Sequence, residues 1–466
     1  MILRSTFLWL CFFITFSFAK PNVLFIAVDD LRPELACYGK QHIHSPNIDA
    51  LAKSGVLFER AYCMVPTCGA SRASLLTGLR PSPSRFKNYL TWAEKDAEGI
   101  TTLNTHFKQS GYTTVGLGKI FHHKTDSRIG WSKDVWQSKI NDWHDLPAKR
   151  AAVRKLKRAN PEWTKNRGAP FESFDAPDDE YRDGATAAQA IKELEALAKT
   201  PDQPFFLAVG FYKPHLPFCA PKKYWDMYDA AEIELPNNRY APKDAPEGAV
   251  HTSGELRSYA TVPPAGPMSE EMARNLIHGY FACVSFTDAQ VGRLLDALDR
   301  LNLAEDTIVV LWGDHGWQLG EHGMWIKHSC FETSMHAPLL VRVPGRSIKA
   351  GTRVTSLVEF IDIYPTLCDL TNTEPPSHLQ GDSMVPLMLD PTATWKKYAI
   401  GRYKNGDTIK SDTHRFSEYR TRSGEVSGAM LYDHRDDPDE NTNVASSSDA
   451  VVGAMTTELN KRKGKN

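Results

Sequence analysis

Four short apolar runs constrain most what this chain can fold into: Asn22 to Val28, Tyr112 to Leu117, Phe205 to Val209 and Thr307 to Trp312. None alternates with polar residues, and such a run reads as a strand covered on both faces. Helical patterns lie between them, over Pro46 to Ser54, Ala185 to Ala198 and Val284 to Leu301. Strands alternating with helices predict an α/β fold, with a large, mostly parallel sheet flanked by helices. The stretch from Arg239 to Met268, rich in Pro and Gly, reads as a long surface loop. Beyond Thr366 the pattern weakens. Short alternating segments around Tyr398 to Tyr403 and Arg415 to Arg420 predict a small antiparallel sheet. The expected division is a main domain over residues 20–390 and a C-terminal subdomain over 391–466, its tail after Asn443 polar and frayed.

Ligands in open parallel sheets bind at the carboxyl ends of the strands. Here each of the four predicted strands ends in charge: Asp29-Asp30, then Lys119 and His122, then Lys213-Pro214-His215, then Asp314-His315. One such end reads as a solvated loop; four together describe a metal site beside an anion site. Adjacent carboxylates after a buried strand repel unless a cation neutralises them. Asp29, Asp30 and Asp314 are hard oxygen ligands suited to calcium or magnesium. His315 is a nitrogen donor better suited to softer metals, so chemistry alone leaves the metal open. Lys119, His122, His215 and Lys327 form the basic half, able to stabilise charge on a leaving group or a tetrahedral anion.

The formal net charge of −1 gives no global field to draw nucleic acid or a membrane surface. The N-terminus differs in kind. Arg4 precedes an apolar run from Phe7 to Phe16, and Ser17-Phe18-Ala19 supplies small residues for cleavage, so residues 1–19 read as a signal peptide. No later segment offers the roughly 20 apolar residues of a membrane helix. The expectation is an exported protein without a membrane span. Removing Cys11 leaves seven cysteines and no dense framework; export permits disulfides among them, and the odd count marks Cys68 for another task.

Between the first two strands lies Cys68-Gly69-Ala70-Ser71-Arg72-Ala73-Ser74-Leu75-Leu76-Thr77-Gly78. Cys68 sits where a loop enters a helix, with Arg72 one turn later. Both the helix N-terminus and a cationic neighbour favour an anionic nucleophile. The stretch resembles the type I sulfatase signature, Cys-x-Pro/Ala-Ser-Arg followed by two apolar residues, Thr and Gly, here Leu75-Leu76-Thr77-Gly78. Asn22 to Pro33 and His44 to Asp49 resemble the family's opening. Gly118 to His122, Phe206 to Pro217 and Asp314 to Gly323 resemble its iduronate 2-sulfatase-like branch.

The resemblance implies an alkaline-phosphatase-like sandwich and hydrolysis of sulfate esters. It implies that a formylglycine-generating maturation enzyme converts Cys68 to formylglycine, whose hydrated aldehyde attacks sulfur. One calcium ion would be held by Asp29, Asp30, Asp314, His315 and residue 68. Arg72 and Lys119 match residues that hold the formylglycine, and His122 matches the base acting on the sulfated intermediate. His215 and Lys327 match the sulfate-binding and leaving-group positions. Ala70 stands where the commonest motif has Pro, so conversion depends on the host. Arg85, Trp317, His322 and Trp325, with Glu321 and His328, are expected to ring a sugar pocket, with Arg85 selecting a uronate carboxylate. The implied substrate is a sulfated carbohydrate, with 2-O-sulfated uronate units as the candidate. Two alternatives stand: a phosphoric or phosphonic ester hydrolase of the same superfamily, and an unconverted glycan-binding protein. The cations from Lys149 to Arg167 read as a solvated helix face, neutralised by the nearby acidic run Asp175 to Asp183, ahead of the alternative that they grip a sulfated polysaccharide.

Overall fold

The computed structural model describes residues 20–162 and 165–463. The expected signal peptide lies outside them. Seven strands form the main sheet: β1 (Asn22–Val28), β2 (Val56–Tyr62), β3 (Thr113–Gly118), β4 (Phe205–Phe211), β5 (Thr307–Gly313), β6 (Leu339–Arg342) and β7 (Thr352–Glu359). Their order is β7-β2-β6-β5-β1-β4-β3. Every neighbouring pair is parallel except those made by β6, which runs antiparallel to both β5 and β2.

The absence of alternation in β1 has a direct cause. Leu24, Ile26 and Val28 join the core on one face, while Val23, Phe25 and Ala27 join the core on the other. The first core is covered by α1 (Pro46–Ser54), α4 (Arg182–Leu197) and α5 (Glu270–Arg300); the second by α2 (Cys68–Thr77) and α6 (Ile363–Leu370). Between α2 and α4 lies α3 (Leu146–Ala159). Helix α5 begins well before the predicted Val284. Ser269 caps it by accepting from the Met272 N–H, and Gly279 continues it where a Cβ would meet Phe218 at 2.8 Å and the Trp225 ring at 2.9 Å.

The C-terminal sheet is antiparallel, in the order β8 (Ala399–Tyr403), β9 (Gly406–Lys410), β10 (His414–Arg420) and β11 (Val426–Asp433). The tail is not frayed as expected. Residues Asp449–Lys463 form α7, which buries Met455 and Leu459 against Ile409, Phe416 and Leu431. The permitted disulfides are absent as well: all seven described cysteines are free. No described helix is long and apolar enough to cross a membrane.

Candidate active site

Strands β3, β4, β1 and β5 are parallel neighbours, so their carboxyl ends open on one edge of the sheet. The chain leaving β3 passes close against the end of β4, where Gly118 and Gly210 are register partners. A Cβ on Gly118, whose φ is +67°, would collide with the Gly210 carbonyl, and one on Gly210 would collide with the Lys119 carbonyl. Only glycines let the chain pass there. The passage carries the Lys119 ammonium over β4 to an ion pair with Asp29.

Cys68 is the first residue of α2 and is 3% exposed. Its Sγ lies 3.4 Å from His315 Nε2 and 3.9 Å from Asp30 Oδ1. Arg72, one turn on, is fully buried; it donates to Asp314 Oδ2 at 2.8 Å, Asp29 Oδ1 at 3.2 Å and the Ile120 carbonyl at 3.1 Å. Asp314 Oδ1 accepts from the Asp30 N–H at 3.0 Å. Lys327 pairs with Asp30 at 3.1 Å and with Glu255 at 3.0 Å, and His215 Nε2 lies 3.2 Å from Glu255.

These contacts correct one expectation. Arg72 is spent on two carboxylates, and the Cys68 thiol is pushed well above its ordinary range, by burial first and then by Asp29. The site does not favour a thiolate. Burial also tends to raise Asp29, but Lys119, His215 and Arg72 outweigh it and hold the carboxyl well below its usual range. Asp314 stays raised because its burial exceeds the help of His315 and Arg72. His122 is pushed down to about 3, by burial and then by Lys119, and its buried Nδ1 has no hydrogen-bond partner among the described residues.

The ligating atoms of Asp29, Asp30, Cys68 and His215 lie within 4.8 Å of one another, as do those of Cys68, Asp314 and His315. Three of the six residues, Asp29, Asp30 and Asp314, supply carboxylate oxygens, donors that fit a hard divalent cation. A cavity of about 670 Å³ opens over Cys68, Lys119, His122, His215, Glu255 and Lys327.

The family model for sulfatases matches residues 21–373. The chain belongs to the sulfatase family. A second model, for the C-terminal region of N-sulphoglucosamine sulphohydrolase, matches residues 320–465. The chain is 36% identical to the iduronate 2-sulfatase of Homo sapiens over 76% of this chain and 70% of that one. It is 34% identical to a sulfatase of Formosa agariphila over 91% and 83%. The phosphonate monoester hydrolase of Silicibacter pomeroyi shares the fold, with a TM-score of 0.76 at 21% identity over 96% of each chain.

This sulfatase brings ten expected residues to one centre: Asp29, Asp30, Cys68, Arg72, Lys119, His122, His215, Asp314, His315 and Lys327. It does not bring the expected sugar-contacting residues there. Trp317, His322 and Trp325 are 1%, 2% and 4% exposed, because their rings are more stable packed inside than lining water. Trp317 lies parallel to Tyr280 with the Lys327 ammonium 4.8 Å from its ring. His322 bonds the Asp439 carbonyl and packs on Phe331, and Trp325 closes over Gly320. Arg85 turns back to donate to the Arg80 carbonyl at 2.8 Å, outside the cavity lining. Glu321 pairs with Arg32 instead. Of that group only His328 lines the cavity, stacked on Tyr403.

Glu255 is the residue that sequence reasoning missed. It sits in the Pro- and Gly-rich loop expected to lie on the surface, yet its carboxylate joins Lys327 to His215. Burial tends to raise it, but Lys327 and His215 hold it well below the usual range. No local pattern marks it.

Proposed function

We propose that this sulfatase removes sulfate from a carbohydrate, with 2-O-sulfated uronate units as the candidate substrate, through Cys68 matured to formylglycine and one calcium ion. The observation that carries the reading is the burial of Cys68 among three carboxylates and two histidines, where an unmodified thiol is held protonated. A protonated thiol is a poor nucleophile, so the position calls for a different one. Formylglycine supplies a hydrated aldehyde as that nucleophile. Calcium supplies positive charge that lowers the pKa of the attacking hydroxyl, held by Asp29, Asp30, Asp314, His315 and residue 68.

The remaining work belongs to side chains. Arg72 fixes Asp29 and Asp314 in their orientations. Neutral His122, with its free Nδ1, takes a proton from residue 68. His215 and Lys327, joined by Glu255, meet the leaving oxygen; one protonates it and the other stabilises its charge. Similarity to an iduronate 2-sulfatase supports the uronate candidate, and export after loss of residues 1–19 belongs to the same reading.

The test is peptide mass spectrometry across Thr67 to Arg72 on protein from its native host. A loss of about 18 Da at Cys68, the change from thiol to aldehyde, is expected together with sulfate release from sulfated sugars. Chelation should abolish that release, and calcium should restore it. An unmodified Cys68 in protein that still binds sulfated glycan without hydrolysis would move the conclusion to a binding protein.

A further inference from the structure

Helix α3 carries Lys149, Arg150, Arg154, Lys155, Lys157 and Arg158, and no acidic residue. Val153 is its one buried residue, and half-buried Leu146 packs against the core. Arg150, Arg154, Lys155, Lys157 and Arg158 are exposed. Like charges one turn apart destabilise a helix, so this face costs stability unless something anionic meets it.

The neighbouring acids do not neutralise it. Asp178 pairs with Lys223 and Asp179 with Arg293, each at 2.7 Å. Asp142 lies 3.6 Å from Arg182. Glu172 accepts the N–H groups of His144 and Asp145, at 2.6 and 3.1 Å. Asp183 accepts those of Tyr212 and Lys213, at 2.9 and 2.7 Å. Asp178, Asp179 and Asp183 of the acidic run are thus engaged with partners outside α3, and no ion pair joins the run to α3 among the described residues.

The basic face is also continuous with the catalytic cavity. The Lys149 ammonium lies 4.2 Å from the centre of the Trp143 ring, and Trp143 lines the cavity. Lys165, Arg167 and Arg182 line it too. The Arg167 guanidinium lies 4.9 Å from the centre of the Tyr259 ring and donates to Ser258 Oγ at 2.5 Å, while that of Arg182 lies 4.7 Å from the centre of the Tyr212 ring. Cations therefore run from the cavity wall, past Trp143, along a helix of 14 residues, about 21 Å long.

We infer that α3 is a binding track for a polyanionic polysaccharide, engaging the chain that extends beyond the unit held in the cavity. The inference rests on the sulfated-carbohydrate reading of the cavity. It commits to a glycan because the track opens into a catalytic site and not onto a separate face.

The test reads binding, so it is independent of turnover. Affinity for a heparin-derived dodecasaccharide is measured against salt concentration on the full chain with Cys68→Ala. The same is done with Arg150→Gln, Arg154→Gln and Lys157→Gln added. A control carries Lys53→Gln, Lys349→Gln and Arg422→Gln, which removes equal charge from other exposed positions. The α3 variant is expected to bind at least tenfold more weakly, with a salt slope reduced by roughly one unit per cation in contact. The control should match its parent. Equal binding by the α3 variant, equal weakening in the control, or equal competition by double-stranded DNA would each overturn the inference. Binding that depends on α3, together with no sulfate release from the same oligosaccharide by protein that keeps Cys68, would strike the catalytic reading alone.

Discussion

His122 shows how position sets the chemistry of a single residue. A histidine near pH 6.5 would lose its base form in mild acid, but burial and Lys119 push His122 down to about 3. Its neutral form therefore persists from pH 7 down to about pH 4. The acid limb of kcat/KM should not fall at the ordinary histidine value, and His122→Ala should lower kcat roughly 10²- to 10⁴-fold across that range. An acid limb at pH 6.5 that disappears in His122→Ala would contradict this. The same shift bears on stability. Between about pH 6.5 and 3 the unfolded chain binds a proton that folded His122 does not, so stability falls as pH drops through that window. His251, pushed down to about 4 by burial, acts in the same direction. Much of the site was legible at this scale, because Asp29, Asp30, Asp314 and His315 follow directly on buried strands. Glu255 was not, because only tertiary folding brings its loop to Lys327. Trp317 and Trp325 misled because aromatic residues beside a catalytic motif look the same in sequence whether they face a ligand or the core.

Among the elements, strands covered on both faces announced themselves and the others did not. In β2, Glu59 and Arg60 interrupt the apolar run, and β6 has only four residues, so neither gave a usable pattern. Helix α7 has almost no amphipathic character along its length, which is why the tail read as frayed. It holds on through Met455 and Leu459. The close approach of β3 and β4 at Gly118 and Gly210 supports a sharper prediction. Gly118→Ala places a methyl group against the Gly210 carbonyl in a left-handed backbone position. Overpacking and backbone strain together should cost roughly 2–5 kcal/mol. Thermal melts should show that loss. Sulfatase activity measured well below the melting temperature should fall further than stability alone explains, because Lys119 follows directly on the displaced residue.

Across the whole molecule, a buried arginine is one of the links that fasten the C-terminal sheet to the main sheet, beside the Ile400 N–H donated to Glu359. Arg415 on β10 pairs with Glu332 at 2.5 Å and with Glu440 at 3.2 Å, while Tyr62 at the end of β2 donates to Glu332 at 2.7 Å. Removing one partner leaves buried charge uncompensated, at a cost of about 3–5 kcal/mol. Arg415→Ala should lower the melting temperature by several degrees, with the C-terminal sheet losing hydrogen-exchange protection first. Burial tends to raise Glu332, but Arg415 outweighs it and holds the carboxyl far below its ordinary 4.5. The wild-type stabilisation is therefore full above pH 4.5 and is lost as pH falls below it. Melts of the two proteins should converge in acid.

The antiparallel placement of β6 beside β5 has a consequence for descent. Residues 314–338 leave the sheet and return to the adjacent position, so the excursion begins and ends at one doorway. Asp314, His315 and Lys327 all ride on it, whereas Asp29, Cys68, Lys119 and His215 sit on separate crossings of the sheet. A block whose two ends are already side by side can be exchanged between relatives without rerouting any strand. Asp314, His315 and Lys327 thus lie on one continuous segment with a single entry and exit, whereas the rest of the centre is gathered from separate turns of the chain.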